Sequence, residues 1–197
     1  PEELREAKNR LELHDRLGVH AGGKWGLCLT DTLCLPFNSR VFDIVICCEV
    51  IEHIRDHKTA VAELARVIKP GHFLVASVPR YWPEKICWSL SKAYRHEKGG
   101  HVRIYRKRDL IYLFSTAGFE LCSMHYAHSL HTPYWWLKCL VGIEKKNLTM
   151  VNLYYQFLTW DIMKRPKVTH FIDRLLNPIL GKSIVFYFLK RTDRNYQ

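Results

Sequence analysis

Two carboxylates and an imidazole, Glu49, Glu52 and His53, stand together directly after a nearly continuous apolar run, Phe42 to Cys48, broken only by Asp43. Acids and a histidine at that spacing can hold a hard cation, or take up and release a proton. An apolar run of seven residues suits a strand covered on both faces. In open α/β sheets, ligands bind just beyond the carboxyl ends of the strands. Chemistry is therefore expected at Glu49 to His53.

The elements that must position these groups are legible around them. Val61, Leu64, Ala65 and Ile68 recur at helical spacing between charged positions, and Pro70-Gly71 reads as the stop. Phe73 to Val78 is again apolar and closes at Pro79. Strand, acidic loop, amphipathic helix, turn and second strand form one βαβ unit.

Upstream, Glu2 to Leu17 reads as a helix, His20 to Lys24 as a loop with Gly22-Gly23, and Trp25 to Thr30 as a short strand. Asp31 to Phe37 is the loop at its carboxyl end. This alternation predicts a doubly wound, mostly parallel sheet in an α/β fold. Downstream, Arg80 to Gly100 reads as a partly helical connection over the ligand crevice. Lys107 to Ala117 is a helix with Leu110, Leu113 and Phe114 inward, Phe119 to His125 a strand, and Ser183 to Lys190 a last strand before a polar tail. Between these strands lies an aromatic-rich insertion, residues 129–182, containing Tyr134-Trp135-Trp136 and Tyr154-Tyr155.

Size and charge narrow the classes. At 197 residues, 48% hydrophobic and 25% charged, the chain fits a single globular domain over 1–197. Its net charge of +11 and pI of 9.4 invite a nucleic-acid or anionic-surface reading. The basic residues are scattered, though, and densest only in Arg103–Arg108, with Lys145, Lys146 and 164–167 further on, so nucleic acid is disfavoured. Seven cysteines in no framework spacing read as reduced, buried thiols of a cytoplasmic protein. No apolar run is long enough to span a bilayer. In that setting the Asn147 sequon carries no meaning.

Taken in order, D-x-x-x-LPF (Asp31 to Phe37), FDIVICCEVIEH (Phe42 to His53), ELARVIKPG (Glu63 to Gly71) and GHVRIY…DL…AGF (Gly100 to Phe119) resemble class I S-adenosylmethionine-dependent methyltransferases. The resemblance is to the small-molecule branch that includes ubiquinone-biosynthesis enzymes. It implies S-adenosylmethionine as cofactor, Asp31 accepting from the adenine amino group, Thr32 and Leu33 against the ring edge, and Cys48 and Glu49, after Cys47, beside the methionine part. The family's glycine-rich loop and ribose-binding acid have no counterpart here, since they would precede Glu2. The sequence is therefore read as N-terminally truncated, lacking the first strands. The family's usual helix-capping threonine is replaced by Arg106, with Asp109 as partial compensation.

The same resemblance likens E-x-x-E-H to metal-binding sets of ubiquinone-type O-methyltransferases and of small-RNA 2′-O-methyltransferases. The latter need a further histidine, for which His96 and His101 are candidates. His53 could instead act as a general base. His125, His128 and His131 read as a strand running into a loop. The insertion suggests a small-molecule or lipid-like acceptor and peripheral contact with a membrane, or plain core packing. Rival readings are a cofactor-free binding module, an RNA methyltransferase and a nicotinamide-dependent enzyme, the last argued against by the D-x-x-x-LPF and ELARVIKPG motifs. No residue singles itself out as the catalytic one, and oligomeric state is not encoded in any motif.

Overall fold

The computed structural model describes residues 2–19, 23–144 and 148–192. His20, Gly22, Lys145, Lys146, the Asn147 sequon and the polar tail from 193 lie outside the described residues. The chain divides into two compact units, 1–36 and 37–197.

The first unit holds helix α1, Glu2–Arg16, with its ion pairs Lys8–Glu12 and Arg10–Glu6 one turn apart. The Trp25 indole N–H donates to Asp15, folding the following segment back toward α1. The strand expected at Trp25–Thr30 is absent; these residues join no ladder. A strand exists only by exchanging hydrogen bonds with a neighbour, and the only bridge described in this unit joins Asp31 and Cys34.

The second unit is a four-stranded sheet with helices. Its strands are β1 (Phe42–Cys48), β2 (Ile68–Pro79), β3 (Phe119–Ala127) and β4 (Ser183–Lys190), in the order β1-β2-β4-β3. β1 and β2 are parallel, whereas β4 runs antiparallel to both β2 and β3. Three strands thus share one direction and the last is inserted between them reversed. The fold is mixed α/β, as the alternation predicted, although the reversed strand was not legible.

Between β1 and β2 come a 3-10 turn, Ile51–His53, and helix α2, His57–Val67. Asp56 caps α2 by accepting from the Thr59 N–H. At the other end the Lys190 ammonium donates to the carbonyls of Ala65 and Ile68, so the end of β4 closes the helix. Pro70-Gly71 does not separate helix from strand as expected. Ile68 already pairs with Phe42, and the Pro-Gly turn is absorbed as an irregularity before Phe73 pairs with Ile44, Gly71 taking a φ of 76°.

After β2 come α3 (Tyr81–Leu90), α4 (Lys92–Arg95) and α5 (Lys107–Thr116). The Phe114 ring of α5 stacks on Phe188, which stacks on Phe186. Strand pairing puts Leu74 and Ala76 opposite those two phenylalanines, and Val45 and Cys47 opposite Leu74 and Ala76, so one sheet face is core. The other face is not. Ile44 and Ile46 are 60% and 69% exposed, correcting the expectation that β1 is covered on both sides. The insertion is helical: α6 (His131–Val141), α7 (Thr149–Lys164) and α8 (Lys167–Leu180). Of the cysteines only Cys47, Cys87 and Cys139 are buried. Cys28, Cys34, Cys48 and Cys122 are exposed, against expectation, because they fall in the unladdered segment, at a strand end or on an outward strand position.

Candidate functional site

At the carboxyl ends of β1 and β2 the second unit encloses a cavity of about 660 Å³, a size usual for a small-molecule ligand. Cys48, Ser77 and Val185 floor it from one sheet face, while Tyr94, Trp135 and Lys182 wall it. Glu49, His53, His101, His128 and His131 all reach it.

Glu49 ends β1 with a φ of 53°, a left-handed conformation that a residue with a Cβ adopts at a cost. It is held there from both sides. Its N–H donates to the Ser77 carbonyl, and its carboxylate accepts from the Ser77 hydroxyl at 2.8 Å. His128, also on the cavity, has a φ of 66°.

Glu52 lies behind His53, 1% exposed, and neither of its carboxylate oxygens has a hydrogen-bond partner. Burial, reinforced by the Glu49 charge, raises its pKa to about 7. Its backbone is fixed, since the Val102 N–H donates to the Glu52 carbonyl. The His53 Nδ1 lies 2.9 Å from the Gly99 carbonyl. A carbonyl only accepts, so Nδ1 carries the proton and Nε2 is the acceptor. That Nε2 is 3.9 Å from Glu52.

His101 Nδ1 donates to Glu84 at 2.7 Å. Glu84 is fully buried, and burial alone would raise its pKa, but the His101 hydrogen bond and the adjoining Lys182 ammonium hold it at about 2. The third polar orphan is His131 Nδ1. Burial, with the nearby His128, lowers its pKa and keeps the ring neutral.

One ligand atom each of Glu52, His53 and His101 lie within 4.8 Å of one another. Both imidazoles give their Nδ1 proton to a carbonyl or carboxylate, the arrangement that orients a metal-binding histidine. One carboxylate with two imidazoles suits a borderline divalent cation better than magnesium. Glu49 stands outside this group, its carboxylate accepting from Ser77. Of the two candidate histidines, His101 stands with Glu52 and His53, whereas the His96 ring turns to the Lys92 carbonyl.

In the first unit, Asp31, Thr32 and Leu33 form a tight turn. The Asp31 Oδ1 accepts from the Leu33 N–H at 2.9 Å, and the Asp31 carbonyl accepts from the Cys34 N–H. Cys48 and Glu49 stand on the cavity. Tyr94 lies in the connection expected over the crevice, but Ser77 and Lys182 carry no motif, and His128 and His131 lie in what reads as a strand running into a loop, yet all reach the cavity. No spacing links residues so far apart in the chain; only the closing of β4 beside β2 brings Lys182 to Glu84.

A family model described as a methyltransferase domain matches residues 6–124. Among curated proteins, no sequence matches significantly. Solved structures share the fold at low identity. The [4+2]-cyclase SpnF superposes with a TM-score of 0.52 at 16% identity, over 92% of this chain and 61% of that one. A Galdieria sulphuraria protein assigned as a sarcosine dimethylglycine methyltransferase gives 0.52 at 16%, over 93% and 65%. The YcgJ protein of Bacillus subtilis gives 0.51 at 16%, over 92% and 78%. The chain thus spans about three fifths of the cyclase. That a cyclase shares the fold means likeness of fold alone carries no reaction.

Proposed function

Because the chain belongs to the methyltransferase domain family, we propose that it works as one methyltransferase domain, moving a methyl group from S-adenosylmethionine to a small-molecule or lipid-like acceptor. One observation carries the reading within that family: a cavity at the carboxyl ends of β1 and β2, with Glu49 held in a left-handed turn by Ser77 and unpartnered polar atoms at or behind its wall. Buried polar groups without partners are rare, and those beside a cavity suit a polar ligand. The cofactor supplies a methyl group activated by the sulfonium it leaves.

The chain's own part is to hold and orient. Glu49 and Cys48 are assigned to the methionine end, where a carboxylate favours a cationic ligand. The assignment of Asp31, Thr32 and Leu33 to the adenine edge rests on the sequence resemblance. The acceptor is assigned to the side of the cavity walled by Tyr94, Trp135 and His131, whose rings exclude water. His53, with Nδ1 committed to Gly99, offers Nε2 to take the acceptor's proton, and Glu52 beside it favours the imidazolium so formed. A second reading has Glu52, His53 and His101 hold a divalent cation that would polarise a hydroxyl acceptor. The ubiquinone-like resemblance and the aromatic wall both favour an apolar acceptor over RNA.

The test is calorimetric titration of S-adenosylhomocysteine. Binding that weakens at least about tenfold in Glu49→Ala and in Asp31→Ala, about 1.4 kcal/mol each, supports the reading. Absence of binding both by this chain and by a form extended upstream to include the family's glycine-rich loop makes it a binding module instead.

A further inference from the structure

Helix α8 is amphipathic in the wrong sense for a core. Val168, Phe171, Ile172, Leu175 and Ile179 recur at i, i+3, i+4, i+7 and i+11, one continuous stripe at 3.6 residues per turn. That stripe faces outward: Phe171 is 67% exposed and Leu175 65%. The inward side carries polar groups beside the partly buried Leu176 and Leu180. Asp173 accepts from the Ser129 hydroxyl at 2.7 Å and from the Leu130 N–H, Asn177 accepts from the Ser129 N–H, and Thr169 is buried. The helix is anchored by hydrogen bonds and turns its apolar surface away from the protein. A wrongly facing helix would leave those polar groups unpaired, so the orientation is fixed by chemistry.

Basic groups flank the stripe. Lys164, Arg165, Lys167, His170 and Arg174 are exposed, along or just before α8. At the end of α7, two residues upstream of α8, Trp160, Ile162 and Met163 are exposed as well. Ile162 and Met163 rim an apolar groove between α6 and α7, about 450 Å³, lined by Tyr134, Trp135 and Leu158. Trp135 and His131 belong to both this groove and the cavity at the strand ends. No helix among the described residues is long and apolar enough to cross a bilayer.

We propose that the outward face of α8, with the end of α7, docks the protein in the plane of an anionic membrane, and that the α6–α7 groove admits the apolar tail of a lipid acceptor from that surface. Apolar stripe and cationic flank together match an interface of acyl chains beneath acidic headgroups. A protein partner would be served by the stripe alone, whereas the flanking cations select the charged surface. The groove's role rests on the methyl-transfer reading with a lipid-like acceptor; the docking face does not.

Flotation with phosphatidylcholine vesicles, with and without about one third phosphatidylglycerol, separates the two. The chain should bind the anionic vesicles at least about tenfold more tightly than the neutral ones. Binding should fall at least about tenfold in Phe171→Ser/Leu175→Ser and in Lys167→Glu/Arg174→Glu, with S-adenosylhomocysteine affinity and thermal midpoint unchanged. All four residues are exposed, so the variants should fold. No binding to anionic vesicles, or equal binding by the variants, overturns the proposal. A dimer that Phe171→Ser/Leu175→Ser dissolves, without vesicle binding, would assign the face to a second copy instead. Absence of cofactor binding even in a form extended upstream to include the glycine-rich loop, with vesicle binding intact, would sink the enzyme reading and leave the docking face standing.

Discussion

Glu52 is the residue on which physical chemistry and function pull hardest against each other. A carboxyl group buried with no hydrogen-bond partner is expensive to ionise, and its pKa of about 7 states that cost. The sign follows from linkage. The folded pKa lies above the unfolded value of 4.5, so the group's contribution is fully present below about pH 4.5 and is lost as pH rises through 7. Glu52→Gln cannot ionise and should not show the loss. In chelator-treated protein, urea unfolding at pH 5 and pH 8 should therefore show wild type losing about 2 kcal/mol relative to the variant. Parallel behaviour of the two proteins would mean that Glu52 is solvated or partnered. Sequence placed an acid here correctly, but could not tell Glu49, which bonds to Ser77, from Glu52, which bonds to nothing. That distinction is one of burial, decided by the turn Ile51–His53, whose Glu52 carbonyl accepts from the Val102 N–H.

At the scale of elements, local pattern was a good guide where an element packs with its apolar side inward. Phe42–Cys48 and Ser183–Lys190 have the boundaries that their apolar runs suggest. It failed at Trp25–Thr30, whose alternation has no partner strand among the described residues, and at Pro70-Gly71, which the long β2 absorbs. It also could not show which way α8 turns. The fit of α8 against β3 depends on Gly181. A Cβ there would come within 2.6 Å of the Asn177 carbonyl oxygen and 2.8 Å of the Tyr126 Cβ. Gly181→Ala should thus cost about 2 kcal/mol in chemical denaturation, because backbone must move. Unchanged stability would show that the end of α8 can shift freely. By contrast the exposed Ile46 should tolerate threonine within about 0.5 kcal/mol, as surface substitutions do, whereas a strand covered on both faces would lose far more.

For the molecule as a whole, a net charge of +11 acts at long range and without sequence preference. Its densest stretch is already partly spent on structure. The Arg103 guanidinium donates to the carbonyls of Ile54 and Arg55, and Arg106 lies 4.7 Å over the Tyr81 ring. Affinity for single-stranded RNA should accordingly fall at least about tenfold between roughly 0.05 and 0.3 M NaCl and be alike for unrelated sequences. Both readings share that salt sensitivity; binding that discriminates between unrelated sequences in a filter assay would restore the RNA reading.

The sequence by itself determined the α/β class, the family motifs and the placing of Glu49 to His53 at a strand end, because these follow from local periodicity and from residues adjacent in the chain. Only the tertiary structure decided which groups share the cavity. His101, His131 and Lys182 arrive from three separate segments, and β4 slots in reversed between β2 and β3 to deliver the last of them. The same holds for α8. Its stripe is plain in the sequence, but whether a stripe faces core or solvent depends on what lies opposite, and here hydrogen bonds from the Ser129–Leu130 turn to Asp173 and Asn177 turn it outward.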